Sequence, residues 1–202
     1  MSYQDGIAAI RLEMPDIIPR TEYSADMHWN LITAVTGLYV DEHSSGADRS
    51  KAVSAFVKAW DYGFVWNVLT GRQIFGDIRT NMGHAVYAAH GTDFSTDIHE
   101  LFEDPEDVFQ FDLYEVFGVK DIDALTREYD ENYDAQCLRY PDCVNMTGIY
   151  VTCISGLIEL LGWNTLLLAA GMNPKEFGAF ILRYTNWIQQ YFNALARSKE
   201  PV

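Results

Sequence analysis

Basic residues are scarce in this chain. Its 202 residues include 14 Lys and Arg against 29 Asp and Glu, a formal net charge of −15. That balance argues against nucleic acid or an anionic membrane as main partner, because both are held through lysine and arginine. Cysteine is sparse as well. Cys137, Cys143 and Cys153 are odd in number and form no CxxC pair, which fits free thiols in a reducing cytosol. Long apolar runs are missing: the greasiest stretch, Leu157 to Ala170, is broken by Glu159, Gly162 and Asn164, short of the roughly 20 residues that span a bilayer. The opening residues MSYQDGIAAIRLEMPD lack the basic and apolar regions of a secretory signal, so the expectation is a cytoplasmic protein. No Walker loop, GxGxxG, HExxH or GxSxG motif occurs.

What is present is a folding chain. Apolar residues make up 49% and aromatics 14%, and a chain of this size buries about 70% of its unfolded surface. The length fits one domain over residues 1–202. The charge is concentrated: residues 93–142 hold 16 acids and 3 bases, the remainder 13 and 11. Such a block reads as a solvated helical face, with a cation site as the sharper alternative.

Periodicity orders the elements. Residues 2–13 form a short helix, and the two prolines of Met14–Arg20 force an extended or turning segment. Ser24 is placed to cap a helix through Thr36, stopped by Gly37, and another helix spans about 47–60. Residues 62–69 are apolar, aromatic and β-branched, a buried strand closed by Gly71, and 84–89 is a further strand candidate. Asp104-Pro105-Glu106 and Asp121 start helices in the acidic block. Residues 144–152 read as a second buried strand. Helices 154–161 and 163–170 follow, split at Gly162, then a long helix opened by Asn173-Pro174-Lys175-Glu176 with Phe177, Phe180, Ile181, Tyr184, Ile188, Tyr191 and Phe192 inward. Residues 199–202 resemble the lead-in to a strand. Buried strands separated by helices imply α/β with a parallel sheet.

Four stretches, in this order and spacing, resemble the uroporphyrinogen decarboxylase superfamily, which also holds cobalamin-dependent methyltransferases. They are Pro15–Arg20; Glu106–Asp112 before Phe117-Gly118; Thr147–Thr152; and Leu157–Trp163 followed by Asn173–Phe177. The resemblance implies the N-terminal portion of a (β/α)8 barrel, helix-rich and incomplete. A whole barrel takes about 250 residues, so the C-terminal half is expected to be missing or the open sheet edge covered, for example by a second copy in a homo-oligomer. The implied activity is decarboxylation of a tetrapyrrole, a lyase of porphyrin biosynthesis, or methyl transfer from a corrinoid. Zinc and a corrinoid would belong to a full-length relative, with no cofactor or metal held by this chain.

In barrels the active site lies at the C-terminal ends of the strands. On the strand bounds above, Asn67 and Thr152 occupy such positions. The resemblance adds Arg20, which would grip a substrate carboxylate bidentately. Tyr23 would line the pocket mouth, and Tyr150, alternating with Thr152, would face the same cavity. No residue is assigned a catalytic role. Asn67 stands where the decarboxylases carry an aspartate, and a neutral amide cannot stabilise a developing cation as a carboxylate does. Gly156 stands where they carry a tyrosine. Two readings compete: a catalytically silent half-barrel acting as an assembly module, and an acidic metal-binding helical protein using His90, Asp93, Asp97, His99 and Glu103, the last two one helical turn apart.

Overall fold

Capping chemistry sets most of the helix boundaries. In the computed structural model, which describes residues 3–22, 25–81, 86–88, 91–93 and 99–199, the elements are α1 (Tyr3–Ile10), α2 (Trp29–Thr36), α3 (Gly46–Ala59), β1 (Phe64–Thr70), β2 (Val86–Ala88), β3 (Gly91–Asp93), α4 (Leu113–Phe117), α5 (Ile122–Arg139), β4 (Val144–Ile149), α6 (Ser155–Met172) and α7 (Pro174–Leu195). The side chains of Ser45, Asp112 and Asn173 accept from backbone N–H groups of the first turns of α3, α4 and α7, and Asp121 Oδ1 accepts from Ala124 in α5. Asp104 caps a 3₁₀ turn at Pro105–Gln110 in the same way. Each such cap contributes about 1 kcal/mol.

Two compact units divide the chain. The first comprises Met1–Asn67, Asp130–Gly148 and Glu200–Val202; the second comprises Val68–Tyr129 and Ile149–Lys199. β1 and β4 are neighbours in a two-stranded sheet and run parallel. β2 and β3 form an antiparallel pair with Val86 opposite Asp93 and Ala88 opposite Gly91. The described structure is therefore helix-rich and mixed α/β, with two parallel strands.

The first unit's core gathers Ile32, Val40, Ala52, Phe56, Val57, Tyr62, Val65 and Cys143. The second unit's core is larger and strongly aromatic. Trp187 is fully buried there between Phe75, Phe117, Tyr184 and Tyr191, at ring-centroid distances of 6.0, 5.2, 6.5 and 5.5 Å, and its indole N–H donates to the Gly118 carbonyl at 3.1 Å. Edge-to-face and tilted pairs of this kind add to the area they bury.

Several expectations need correction. The α2 helix begins at Trp29 rather than at Ser24, which lies outside the described residues. A 3₁₀ turn at Ala25–Met27 takes up the preceding stretch, and α2 ends at Gly37 as expected. β1 is not buried on both faces: Trp66 and Val68 are 52% and 43% exposed while Val65 and Leu69 point inward. Alternation of this kind marks a strand covered on one side. β4 stops at Ile149, so residues 150–152 are loop. In α7 the inward stripe runs through Trp187 and Ala194, and Phe192 is largely outside. Of the 84–89 strand candidate, 86–88 is strand and the rest lies outside the described residues, as do residues 200–202.

The division of α6 at Gly162 holds. There φ is 71° and ψ 168°, breaking one long helix into two. By length and composition α6 could cross a membrane, although half of that stretch is buried inside the protein.

Candidate functional site

The first unit contains a cavity of about 360 Å³, within the range of small-molecule sites, and a second of about 670 Å³ that shares Val57, Tyr62, Arg139 and Tyr140 with it. The smaller cavity's apolar and aromatic wall is Met27, Trp29, Val53, Val57, Tyr62, Val65, Trp66 and Tyr140, and its charged rim is Glu22, Asp26, Arg49 and Arg139, with Thr21, Gly46, Ser50 and Gln136 completing it.

Local structure puts Tyr62 on this wall. The α3 helix ends in a Schellman motif: the Asp61 N–H bonds the Lys58 carbonyl at 3.1 Å and the Tyr62 N–H bonds the Val57 carbonyl at 3.2 Å. Asp61 holds the left-handed position at φ 55°, which is usually glycine's. From the other side, the Cys143 thiol donates to the Tyr62 carbonyl at 3.3 Å. The backbone of Tyr62 is thus fixed at both N–H and C=O, and its ring is 6% exposed. Its hydroxyl is buried and, among the described residues, has no hydrogen-bond partner.

Electrostatics around that hydroxyl are mixed. Burial, then the charges of Glu22 and Asp26, push the Tyr62 phenol up to about 12, with Arg20 opposing. The Asp26 carboxyl is raised above the usual aspartate range, first by the protein packed on one side of it, against the opposing pull of its own backbone, Arg139 and His28. Arg139 is held at three points: Nε donates to Ser54 Oγ at 3.1 Å, a terminal nitrogen donates to the Ser50 carbonyl at 3.1 Å, and the guanidinium lies 4.9 Å from the Tyr140 ring centre. Arg49 differs. Its guanidinium lies 5.9 Å from the Trp29 ring centre, and among the described residues no carboxylate pairs with it.

The residues expected to form the site fall in both units, Arg20 and Asn67 in the first and Tyr150 and Thr152 in the second. Arg20 belongs to the first unit, is exposed, and donates through Nε to the Trp60 carbonyl at 2.7 Å, while its own carbonyl accepts from Gly63 at 2.9 Å. It therefore sits beside the Tyr62 turn without lining the cavity. Asn67 lies in the middle of β1, not at its end, because the strand continues to Thr70, and its amide donates to Asn132 Oδ1 on α5. Tyr23 lies outside the described residues. Tyr150 and Thr152 fall in the second unit, beyond the end of β4. Tyr150 is 42% exposed. Thr152 starts α6: its Oγ1 accepts from the Ser155 N–H at 3.3 Å while its own N–H donates to Ser155 Oγ at 3.0 Å, a reciprocal capping arrangement. Tyr184 donates to the Thr152 carbonyl at 3.2 Å, and its hydroxyl fills the space above Gly156, where an added Cβ would lie 1.7 Å away.

Residues 99–103 are not helical, so His99 and Glu103 do not share a helical face, and no group of three potential ligands is found among the described residues. His90 and Asp97 lie outside them. Sequence reasoning passed over Tyr62, Arg49 and Arg139. The available signal was Arg139-Tyr140, a cation beside an aromatic at the close of an acidic helix.

No protein-family model, curated protein or solved structure matches this chain.

Proposed function

We propose that this chain binds a small molecule in the first unit's smaller cavity. The observation that carries this reading is the Tyr62 hydroxyl, buried on the cavity wall with no protein partner among the described residues. Leaving a buried donor unmade costs about 1–3 kcal/mol, and a ligand acceptor would offset that loss. A ligand that binds only the folded state raises thermal stability with its concentration. In a thermal-shift screen, compounds that stabilise the parent should lose that effect on Tyr62→Phe. Equal shifts for both proteins would contradict the reading.

A second reading is favoured by the parallel pairing of β1 and β4, strands joined by a helix-bearing connection. Here the chain supplies the first strands of a uroporphyrinogen-decarboxylase-like (β/α)8 barrel, acting on a tetrapyrrole or with a corrinoid partner once the remaining strands are provided, and a second copy pairing at the open edge is one way to provide them. Arg20 would then hold a substrate carboxylate. Uroporphyrin binding followed by fluorescence quenching tests it: Arg20→Ala should weaken binding, and unchanged affinity would remove the assignment.

A further inference from the structure

We infer that the smaller cavity of the first unit takes a zwitterion: an amino acid with a large apolar or aromatic side chain. The inference rests on the proposed binding role of that cavity and specifies its ligand. Three observations converge. Arg49 lines the cavity as a guanidinium with no carboxylate pair among the described residues, 5.9 Å from the Trp29 ring centre. A planar guanidinium in that state is suited to a bidentate carboxylate. Glu22 and Asp26 line the same cavity and both act on the Tyr62 hydroxyl, so the phenol marks the acidic part of the wall, where an ammonium group meets two carboxylates. Trp29, Val53 and Val57 line the same cavity, surface fit for an apolar side chain. One ligand class answers all three: a carboxylate for Arg49, an ammonium for Asp26 and Glu22, and an apolar body against the ring and valines. A simple anion would leave the acids unanswered, and a simple cation would leave Arg49 unanswered.

The test is calorimetric titration of the full chain with three probes of one skeleton: phenylalanine, 3-phenylpropanoate and phenethylamine. Phenylalanine should bind at least about tenfold more tightly than either singly charged probe, since each charge-assisted contact removed is worth about that factor. Arg49→Gln should weaken phenylalanine and leave phenethylamine unchanged, whereas Asp26→Asn should weaken phenylalanine and leave 3-phenylpropanoate unchanged. Binding of 3-phenylpropanoate or phenethylamine as tight as that of phenylalanine overturns the zwitterion inference. It leaves the cavity's binding role intact if Tyr62→Phe still weakens that probe. Absence of binding by all three also overturns the inference, and the broader reading then stands or falls on the thermal-shift comparison of parent and Tyr62→Phe. Circular dichroism of both substituted chains confirms that loss of binding is not loss of fold.

Discussion

Tyr62 shows how a single residue can be well placed and poorly satisfied. Its backbone is clamped by the α3 terminus and by Cys143, and its hydroxyl is buried without a protein partner among the described residues. It is one of several buried phenols: burial raises Tyr129, Tyr140, Tyr184 and Tyr191 as well. The sign follows directly. An unfolded tyrosine ionises near 10, whereas folded Tyr62 holds its proton to about 12, so the folded state binds more protons between those values and loses stability as pH rises through that window. Absorbance titration at 295 nm should show part of the 12 tyrosines ionising only together with loss of secondary structure. Smooth ionisation of all of them near pH 10, with the fold intact, would contradict this burial. None of it was legible from the sequence, where Tyr62 reads as the first residue of an apolar strand. The same holds for Asn67 and Thr152, whose expected roles depended on strand ends that the structure moves by one to three residues.

Helices were the most legible elements, because their signals are local. Asn173-Pro174, Asp104-Pro105 and Asp121 each start a helical turn where the cap chemistry says, and Gly162 divides α6 as expected. At φ 71° and ψ 168° that glycine occupies a region other residues enter at about 1–3 kcal/mol. Gly162→Ala should therefore lower stability by about that amount in urea unfolding, and an unchanged midpoint would contradict the kink. A second element-level expectation concerns the start of α6. The Tyr184 hydroxyl occupies the space beside Gly156, so Gly156→Ala should destabilise by about 1–3 kcal/mol through overpacking. Adding Tyr184→Phe should recover part of that loss; additive effects of the two substitutions would contradict direct contact. Strands were less legible. Short apolar runs do not reveal whether one face or two are covered, and exposed Trp66 and Val68 show that β1 is covered on one.

For the molecule as a whole, the charge imbalance outweighs its ion pairs. Among the described residues the Arg197–Asp123 pair, at 3.2 Å, is largely exposed, and such a pair contributes roughly 0–1 kcal/mol. A net charge of −15 therefore acts mainly as self-repulsion, which salt screens. The unfolding temperature should rise as sodium chloride increases from about 0.02 to about 0.5 M, over which the screening length falls several-fold. A fall would mean that attractive pairs dominate. Of the 16 carboxylates in the acidic block, 6 lie in α4 and α5, five of them exposed, whereas Arg49 and Arg139 line the cavity together with Glu22 and Asp26. That grouping was not visible in composition, because its members are up to 117 positions apart in the chain. The central claim is most directly tested by the thermal unfolding of Tyr62→Phe without ligand. Removing a buried hydroxyl with no partner should stabilise the chain by about 1 kcal/mol, a rise of roughly 2–4 °C at this length. A loss of similar size would show that the hydroxyl is already satisfied within the folded protein, and the cavity would then have no unmet donor for a ligand to answer.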